Sequence, residues 1–209
     1  MNNFDRKKHW ENIYHTKQLN EVSWYQQVPE TSLNFIEEFQ VPFTANIIDI
    51  GGGDSFLIDH LIDLGYQNLT VLDISSKALD RAKERLGERA SGVKWIVADI
   101  ADYKPTEIYD FWHDRAVFHF LTEENDIDNY IEIANNSINT SGILTIGTFS
   151  EKGPKKCSGI EITQYSEASM ANKFKTHFNK VKCITLDHKT PFDTYQNFMF
   201  CSFNKKETT

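Results

Sequence analysis

Cysteine is scarce in this sequence. Cys157, Cys183 and Cys201 are odd in number and far apart along the chain. That pattern argues against a disulfide framework or a cysteine-based zinc site, and it suits a reducing, cytoplasmic setting. Long apolar runs are missing too. No stretch approaches the ~18 residues of a membrane helix, and the opening MNNFDRKKHWENIYH has no apolar core of the secretory kind. Positive charge is in deficit: 30 Asp and Glu against 22 Lys and Arg leave a net charge of −8. This disfavours a broad nucleic-acid or anionic-membrane surface, and the surplus acids serve solubility. The seven histidines are scattered without the close pairing of a metal-binding helix, so no metal site is expected.

What is present belongs to a globular protein. Hydrophobic residues make up 40% of the chain and aromatics 13%, and 209 residues allow one sizeable core. Two helical segments are expected at the start. Phe4–Lys17 carries Trp10, Ile13 and Tyr14, and Thr31–Phe39 follows a Thr31 cap. An aromatic stretch containing Ser23-Trp24-Tyr25 joins them. From Ala45 onward apolar strands alternate with amphipathic helices. The strands read as Ala45–Ile50, Leu69–Leu72, Val93–Val97, Ile108–Trp112 and Gly142–Thr148. The helices read as Ser55–Leu64, stopped by Gly65, a Ser76-capped helix to Leu86, stopped by Gly87, a short one near Ala116–Leu121, and Glu124–Ile138. Such alternation implies parallel β-α-β units with helices on both faces of the sheet. A polar loop (Ser150–Thr163) and a helix (Ser166–Phe178) follow. Lys182–Leu186 and Gln196–Phe203 are then too close in sequence for a helical crossover, so they read as an antiparallel edge pair.

The segment Ile47-Ile-Asp-Ile-Gly-Gly-Gly-Asp-Ser55 runs a strand straight into glycines and then a helix, the form of a nucleotide-binding turn. Phe56 stands where a dinucleotide fingerprint wants a small residue, which counts against a nicotinamide-dependent oxidoreductase. Asp49, two residues before Gly51, would repel a pyrophosphate but suits a ligand carrying an ammonium and a sulfonium. Asp73 and Asp99 end the next two strands, placed for ribose hydroxyls and an adenine amine. Asp54 opens a helix and complements its dipole.

The segments I-I-D-I-G-G-G-D-S, L-T-V-L-D-I-S and V-A-D-I resemble the first three motifs of class I S-adenosylmethionine-dependent methyltransferases. The resemblance implies a Rossmann-like α/β sheet of seven strands, ordered 3-2-1-4-5-7-6 with strand 7 antiparallel. It implies one domain over residues 1–209: a helical cap or lid at 1–40, a cofactor-binding half at 45–148, and a substrate-side loop and hairpin at 149–209. S-adenosylmethionine would lie with its methionine part against Asp49 and Gly51, Gly52 and Gly53. Its ribose would meet Asp73, and its adenine Asp99 with backbone help from Ile74 and Ile100. Ser55 departs from the family's third glycine. Trp24 would belong to a lid over the cofactor.

The stretch D-R-A-V-x-H-F-L after the fourth strand, and the loop Gly153-Pro-Lys-Lys-Cys-Ser-Gly159, resemble segments of small bacterial methyltransferases of unassigned substrate. His113, at the strand end beside Asp114, is the candidate base. Arg115 is a candidate for an anionic substrate or the cofactor carboxylate, against the alternative of an ion pair with Asp110 or Asp114. His119 reads as a core histidine. The loop's lysines read as solvated surface. The expected acceptor is a small molecule. The alternatives are a protein lysine or terminus, or a non-catalytic cofactor-binding module. The motifs of nucleic-acid base methylases are absent after the fourth strand, so nucleic acid is a poor candidate.

Overall fold

The alternating pattern folds into a seven-stranded sheet in the computed structural model, which describes residues 4–207. Its strands are β1 (Asn46–Ile50), β2 (Asn68–Asp73), β3 (Val93–Val97), β4 (Tyr109–Arg115), β5 (Ile138–Phe149), β6 (Phe178–Lys189) and β7 (Tyr195–Lys205). The spatial order is β3-β2-β1-β4-β5-β7-β6, parallel except for β7, which runs antiparallel to both its neighbours. This is the Rossmann-like order expected from the family likeness. The ends of the expected domain, residues 1–3 and 208–209, lie outside the described residues.

Both faces of the sheet are buried, which is why its central strands are almost continuously apolar. Ile48, Leu72, Trp112 and Leu144 face one core with Tyr130 and Met170, from helices α5 (Glu124–Ser137) and α6 (Glu167–Phe174). Ile47, Val71 and Phe111 face the other. There they meet Phe35, Leu61 and Leu79 of α2 (Glu30–Glu38), α3 (Leu57–Leu64) and α4 (Ser76–Leu86). Helix α1 (Arg6–Thr16) buries none of its residues fully. It docks on α4 through Glu11, whose carboxylate accepts from the backbone N–H groups of Ser76 and Lys77 and from the hydroxyls of Ser75 and Ser76. A carboxylate at a helix N-terminus satisfies donors that have no intrahelical partner.

Several local expectations need correction. Thr31 lies inside α2, and Pro29 precedes that helix as its cap residue. The side-chain cap of α4 is Ser75, which has extended backbone and accepts from the Ala78 N–H, while Ser76 is already the first helical residue. No helix forms over 116–121: only a 3-10 turn at Phe118–Phe120 follows β4. Ala116 is left-handed (φ 72°), and Asp114 Oδ1 holds the Val117 and Phe118 N–H groups at 3.0 and 3.3 Å, which together stop helix propagation.

The cysteine expectation is overturned as well. The β6–β7 register sets Cys183 directly opposite Cys201, with Cα atoms 4.1 Å apart, and the two form a disulfide; Cys157 is free and buried. Distance along the chain misled, because antiparallel pairing folds 18 residues back on themselves. Cysteine usage therefore gives no support to a reducing setting. Alkylation of the denatured, unreduced protein is expected to label Cys157 alone, and all three cysteines after reduction. Closing a loop of this length stabilises by about 3 kcal/mol on chain-entropy grounds, so reductant should lower the melting temperature. Three labelled thiols without reductant would rule the bond out. Among the described residues no helix is long and apolar enough to cross a membrane.

Candidate active site

The carboxyl ends of β1, β2 and β4 open onto one cleft, roofed by α1 and the segment after it. At its floor lies the glycine turn. Gly51 (φ 63°) and Gly53 (φ 50°) occupy left-handed backbone, and the Gly51 N–H donates to the Leu72 carbonyl at 2.7 Å. A Cβ on Gly51 would stand 1.9 Å from Val117 Cγ2, and one on Gly53 2.7 Å from the Tyr14 hydroxyl. Arg85 of α4 braces the turn from behind, donating to the carbonyls of Asp54 (2.7 Å) and Ser55 (2.8 Å) and pairing with Asp59. Asp54 is not merely a dipole complement. It pairs with Arg81 at 3.0 Å, and burial pushes its carboxyl above the usual range.

Adjacent β1 and β4 set Asp49 beside His113. His113 Nδ1 lies 2.7 Å from Asp49 Oδ1, and Nε2 lies 2.8 Å from the Ser32 hydroxyl of α2, all three residues being buried. A carboxylate only accepts, so Nδ1 donates and Nε2 accepts from Ser32. This corrects the reading of His113 as a base beside Asp114: both ring nitrogens are engaged inside the protein, and the ring orients Asp49. Asp73 is buried at the end of β2, where Oδ1 accepts from the Ser75 N–H at 2.7 Å. Burial first, then the charges of Asp54, Asp49 and Glu11, raise its pKa to about 7. Asp99 accepts from the Ala101 N–H and pairs with Arg6 of α1 at 3.0 Å.

Arg115 ends β4 without the ion pair that its neighbours suggested. Asp110 bonds to the Asn46 N–H and the Asn139 amide, while Asp114 is taken by the Val117 and Phe118 N–H groups and the Tyr130 hydroxyl. Arg115 Nη1 donates instead to the Trp24 carbonyl (2.9 Å), and its guanidinium lies 5.3 Å from the Phe198 ring centre. His119 is a core histidine, as its apolar surroundings suggested. It stacks on Phe149 and accepts that residue's N–H through Nδ1, and burial together with Arg115 lowers its pKa to about 3.

One cavity brings together Trp24, Gly51, Asp73, Ile74, Asp99, Ile100 and Arg115. An adjoining one brings Asp49, Gly52 and His113 to Trp24, Gly51 and Arg115. Gly53 lines neither of them. The lysines of the 153–159 loop stay outside. Lys156 lies on a two-residue ladder, Lys156–Cys157 against Ile160–Glu161, and pairs with Glu161, whereas Cys157 lines the cavity. Sequence reading missed Arg6, Tyr14, Phe120, Gln196 and Phe198 in the wall. Two of them carried a signal: Tyr14, through its aromatic spacing with Trp10 in α1, and Phe120, which lies in the D-R-A-V-x-H-F-L stretch.

Residues 47–142 match a family model described as "Methyltransferase domain". Among curated proteins the chain resembles malonyl-[acyl-carrier protein] O-methyltransferase 1 of Ilyobacter polytropus, at 25% identity over 51% of this chain and 39% of that protein. The matched length is less than half of the curated relatives, 39% of the first and 29% of the second. Among solved structures, the N-methyltransferase NodS of Bradyrhizobium japonicum with S-adenosyl-L-homocysteine superposes with a TM-score of 0.76. It shares 16% identity, over 97% of this chain and all (100%) of that one. The 1,6-didemethyltoxoflavin-N1-methyltransferase of Burkholderia thailandensis superposes with a TM-score of 0.72 at 14% identity, over 96% and 87% of the two chains. Both structural likenesses concern the fold.

Proposed function

We infer that this chain, which carries a methyltransferase domain at residues 47–142, is a class I S-adenosylmethionine-dependent methyltransferase and methylates a small molecule. The observation that carries the reading is the glycine turn, with acids at the ends of β1, β2 and β3 lining one connected cleft. The residues present fit the donor. Buried Asp49 is held ready by His113 for an ammonium, and Asp73 offers two carboxylate oxygens to a ribose. Ile74 and Ile100 flank the place for an adenine, beside Asp99. Gly51 and Gly52 present bare backbone to the cleft, since a Cβ on either would collide with Val117 or with Asp49 and Val71. When bound, the donor supplies an electrophilic methyl group on a sulfonium. The protein's share of the work is alignment and exclusion of water, which supply much of the catalysis of such a displacement.

A small acceptor is supported by the enclosure of the cavity under Trp10, Trp24 and Phe120. The structurally similar 1,6-didemethyltoxoflavin-N1-methyltransferase is named for a small acceptor. Incubation with radiolabelled S-adenosylmethionine and cell extract, followed by size separation, tests the reading. Label in the small-molecule fraction is the expected result. Label confined to protein would replace it with protein methylation, and binding without turnover would leave a cofactor-binding module.

The segment around Trp24 is tied across the cleft by bonds from Arg115 to the Trp24 carbonyl and from His188 to the Ser23 carbonyl. Such a segment is expected to tighten when the donor fills the space beneath it. Limited proteolysis near residues 18–30 should slow with S-adenosylhomocysteine present. Equal rates with and without it would mean the segment is no lid.

A further inference from the structure

Arg115 is a cation with a donor to spare. Its Nη2 is sealed from solvent and has no partner among the described residues, while Nη1 and the guanidinium face are engaged by Trp24 and Phe198. Burial draws its pKa down to about 10, which leaves it charged at neutral pH. The rings of Trp10, Trp24, Phe120, Phe149 and Phe198 line the same cavity, whose acids, Asp73 and Asp99, belong to its donor-binding part. A charge in such surroundings is costly unless an anion meets it. Gln196, on the same wall, also leaves its Oε1 unpartnered.

Among the described residues no histidine lines the cavity beside Arg115, and Asp49, the acid whose charge bears on Arg115, is already held by His113. His119 has Nδ1 occupied and, with burial and Arg115 against its charged form, a pKa of about 3. His113 is engaged at both nitrogens, and His188, which donates through Nε2 to the Ser23 carbonyl, lies outside the lining of this cavity. Burial pushes the Cys157 thiol up. The carboxylates of Asp73 and Asp99 stand at the ends of β2 and β3, on the far side of β1 from Arg115 in the sheet order.

We propose that this cavity takes a small, flat, aromatic or heteroaromatic monoanion, held by Arg115, whose own anionic atom is the nucleophile. The proposal rests on the methyl-transfer reading and names its acceptor class. The anionic atom supplies the electron pair for the new bond to the methyl carbon, and the sulfur keeps the pair of the bond that breaks. Sulfonium and anion both become neutral, no proton is released, and no base is needed. Flat rings suit the aromatic walls, and the planar guanidinium fork suits a carboxylate or a similarly delocalised anion.

The test uses the full chain saturated with S-adenosylhomocysteine and titrated with benzoate, neutral benzamide and cationic benzylamine. Binding is read from the fluorescence of the tryptophans, two of which line the cavity. The wild-type protein should bind benzoate about tenfold or more tighter than either analogue. Arg115→Met, titrated at an S-adenosylhomocysteine concentration that saturates the variant, should erase that preference. Equal binding of the three probes to wild type, or no saturable benzoate signal, overturns the proposal without needing any variant. Loss of S-adenosylhomocysteine affinity in Arg115→Met with the benzoate preference intact would also overturn it, assigning Arg115 to the donor's carboxylate. Failure of wild-type protein to bind S-adenosylhomocysteine at all would instead remove the methyl-transfer reading beneath it.

Discussion

Replacing Asp73 with Asn is expected to weaken S-adenosylhomocysteine binding by about 3 kcal/mol or more, roughly 100-fold, while making the folded protein more stable at pH 8. The binding loss follows from the two ribose hydroxyls that the carboxylate is proposed to hold. Each hydrogen bond to a charged acceptor contributes about 1.5–3 kcal/mol. The stability gain follows from burial, which raises the Asp73 pKa to about 7. A carboxyl whose folded pKa lies above its unfolded value of about 3.9 binds more protons folded than unfolded between those values. Its favourable contribution is therefore complete below about pH 4 and is lost as the pH rises through about 7. A shift of about three units corresponds to at most about 4 kcal/mol. Asn carries no charge to bury, and its side-chain oxygen still accepts the Ser75 N–H.

The stability difference between the two proteins should thus grow from pH 5 to pH 8, in the variant's favour. Asp114, which burial raises to about 6, titrates in both proteins and cancels in the comparison. Thermal denaturation at the two pH values, with calorimetric titration of S-adenosylhomocysteine, reads both arms. An unchanged dissociation constant in a folded variant would sink the ribose assignment. A stability difference independent of pH would sink the account of buried charge.

Gly51→Ala is expected to cost about 3 kcal/mol of stability, or about 6–12 °C in melting temperature for a chain of this length. Two independent effects add. The backbone at φ 63° is left-handed, which penalises any side chain. The new Cβ would also stand 1.9 Å from Val117 Cγ2, so the turn after β4 must shift. Since Val117 follows Arg115 and lines the same cavity, cofactor affinity should fall together with stability. The double variant Gly51→Ala, Val117→Ala separates the two effects, because it removes the clash and keeps the strained φ. It should recover part of the loss, and the non-additivity measures the contact. A melting temperature within about 2 °C of wild type for the single variant would show that the turn is not tight.

The parts of this molecule that sequence determined are those whose cause is local. Strand and helix spacing follows from apolar periodicity, which burial on both sheet faces enforces residue by residue. The turn at Gly51–Gly53 and the acids at Asp49, Asp73 and Asp99 are visible because strand ends and glycines mark them within a few positions. The short loop between β6 and β7 alone forces the antiparallel pair. Helix ends were legible only to within a residue or two: two adjacent serines offer the same capping hydroxyl, and the backbone turns helical at Ser76, leaving Ser75 as the cap.

The tertiary structure decided everything that depends on register and on neighbours remote in sequence. His113 looks like a free base at a strand end. It becomes a buried link only because β1 lies beside β4 and α2 brings Ser32 within 2.8 Å of it, across 81 residues. Arg115 has two acids within five positions, and neither is its partner, since backbone N–H groups and Tyr130 claim Asp114 first. Cys183 and Cys201 are bonded because the pairing register of two strands sets them opposite each other. Side-chain chemistry is written in the chain, but whether a group is free, paired or buried depends on which distant backbone and side-chain groups the packed core brings against it.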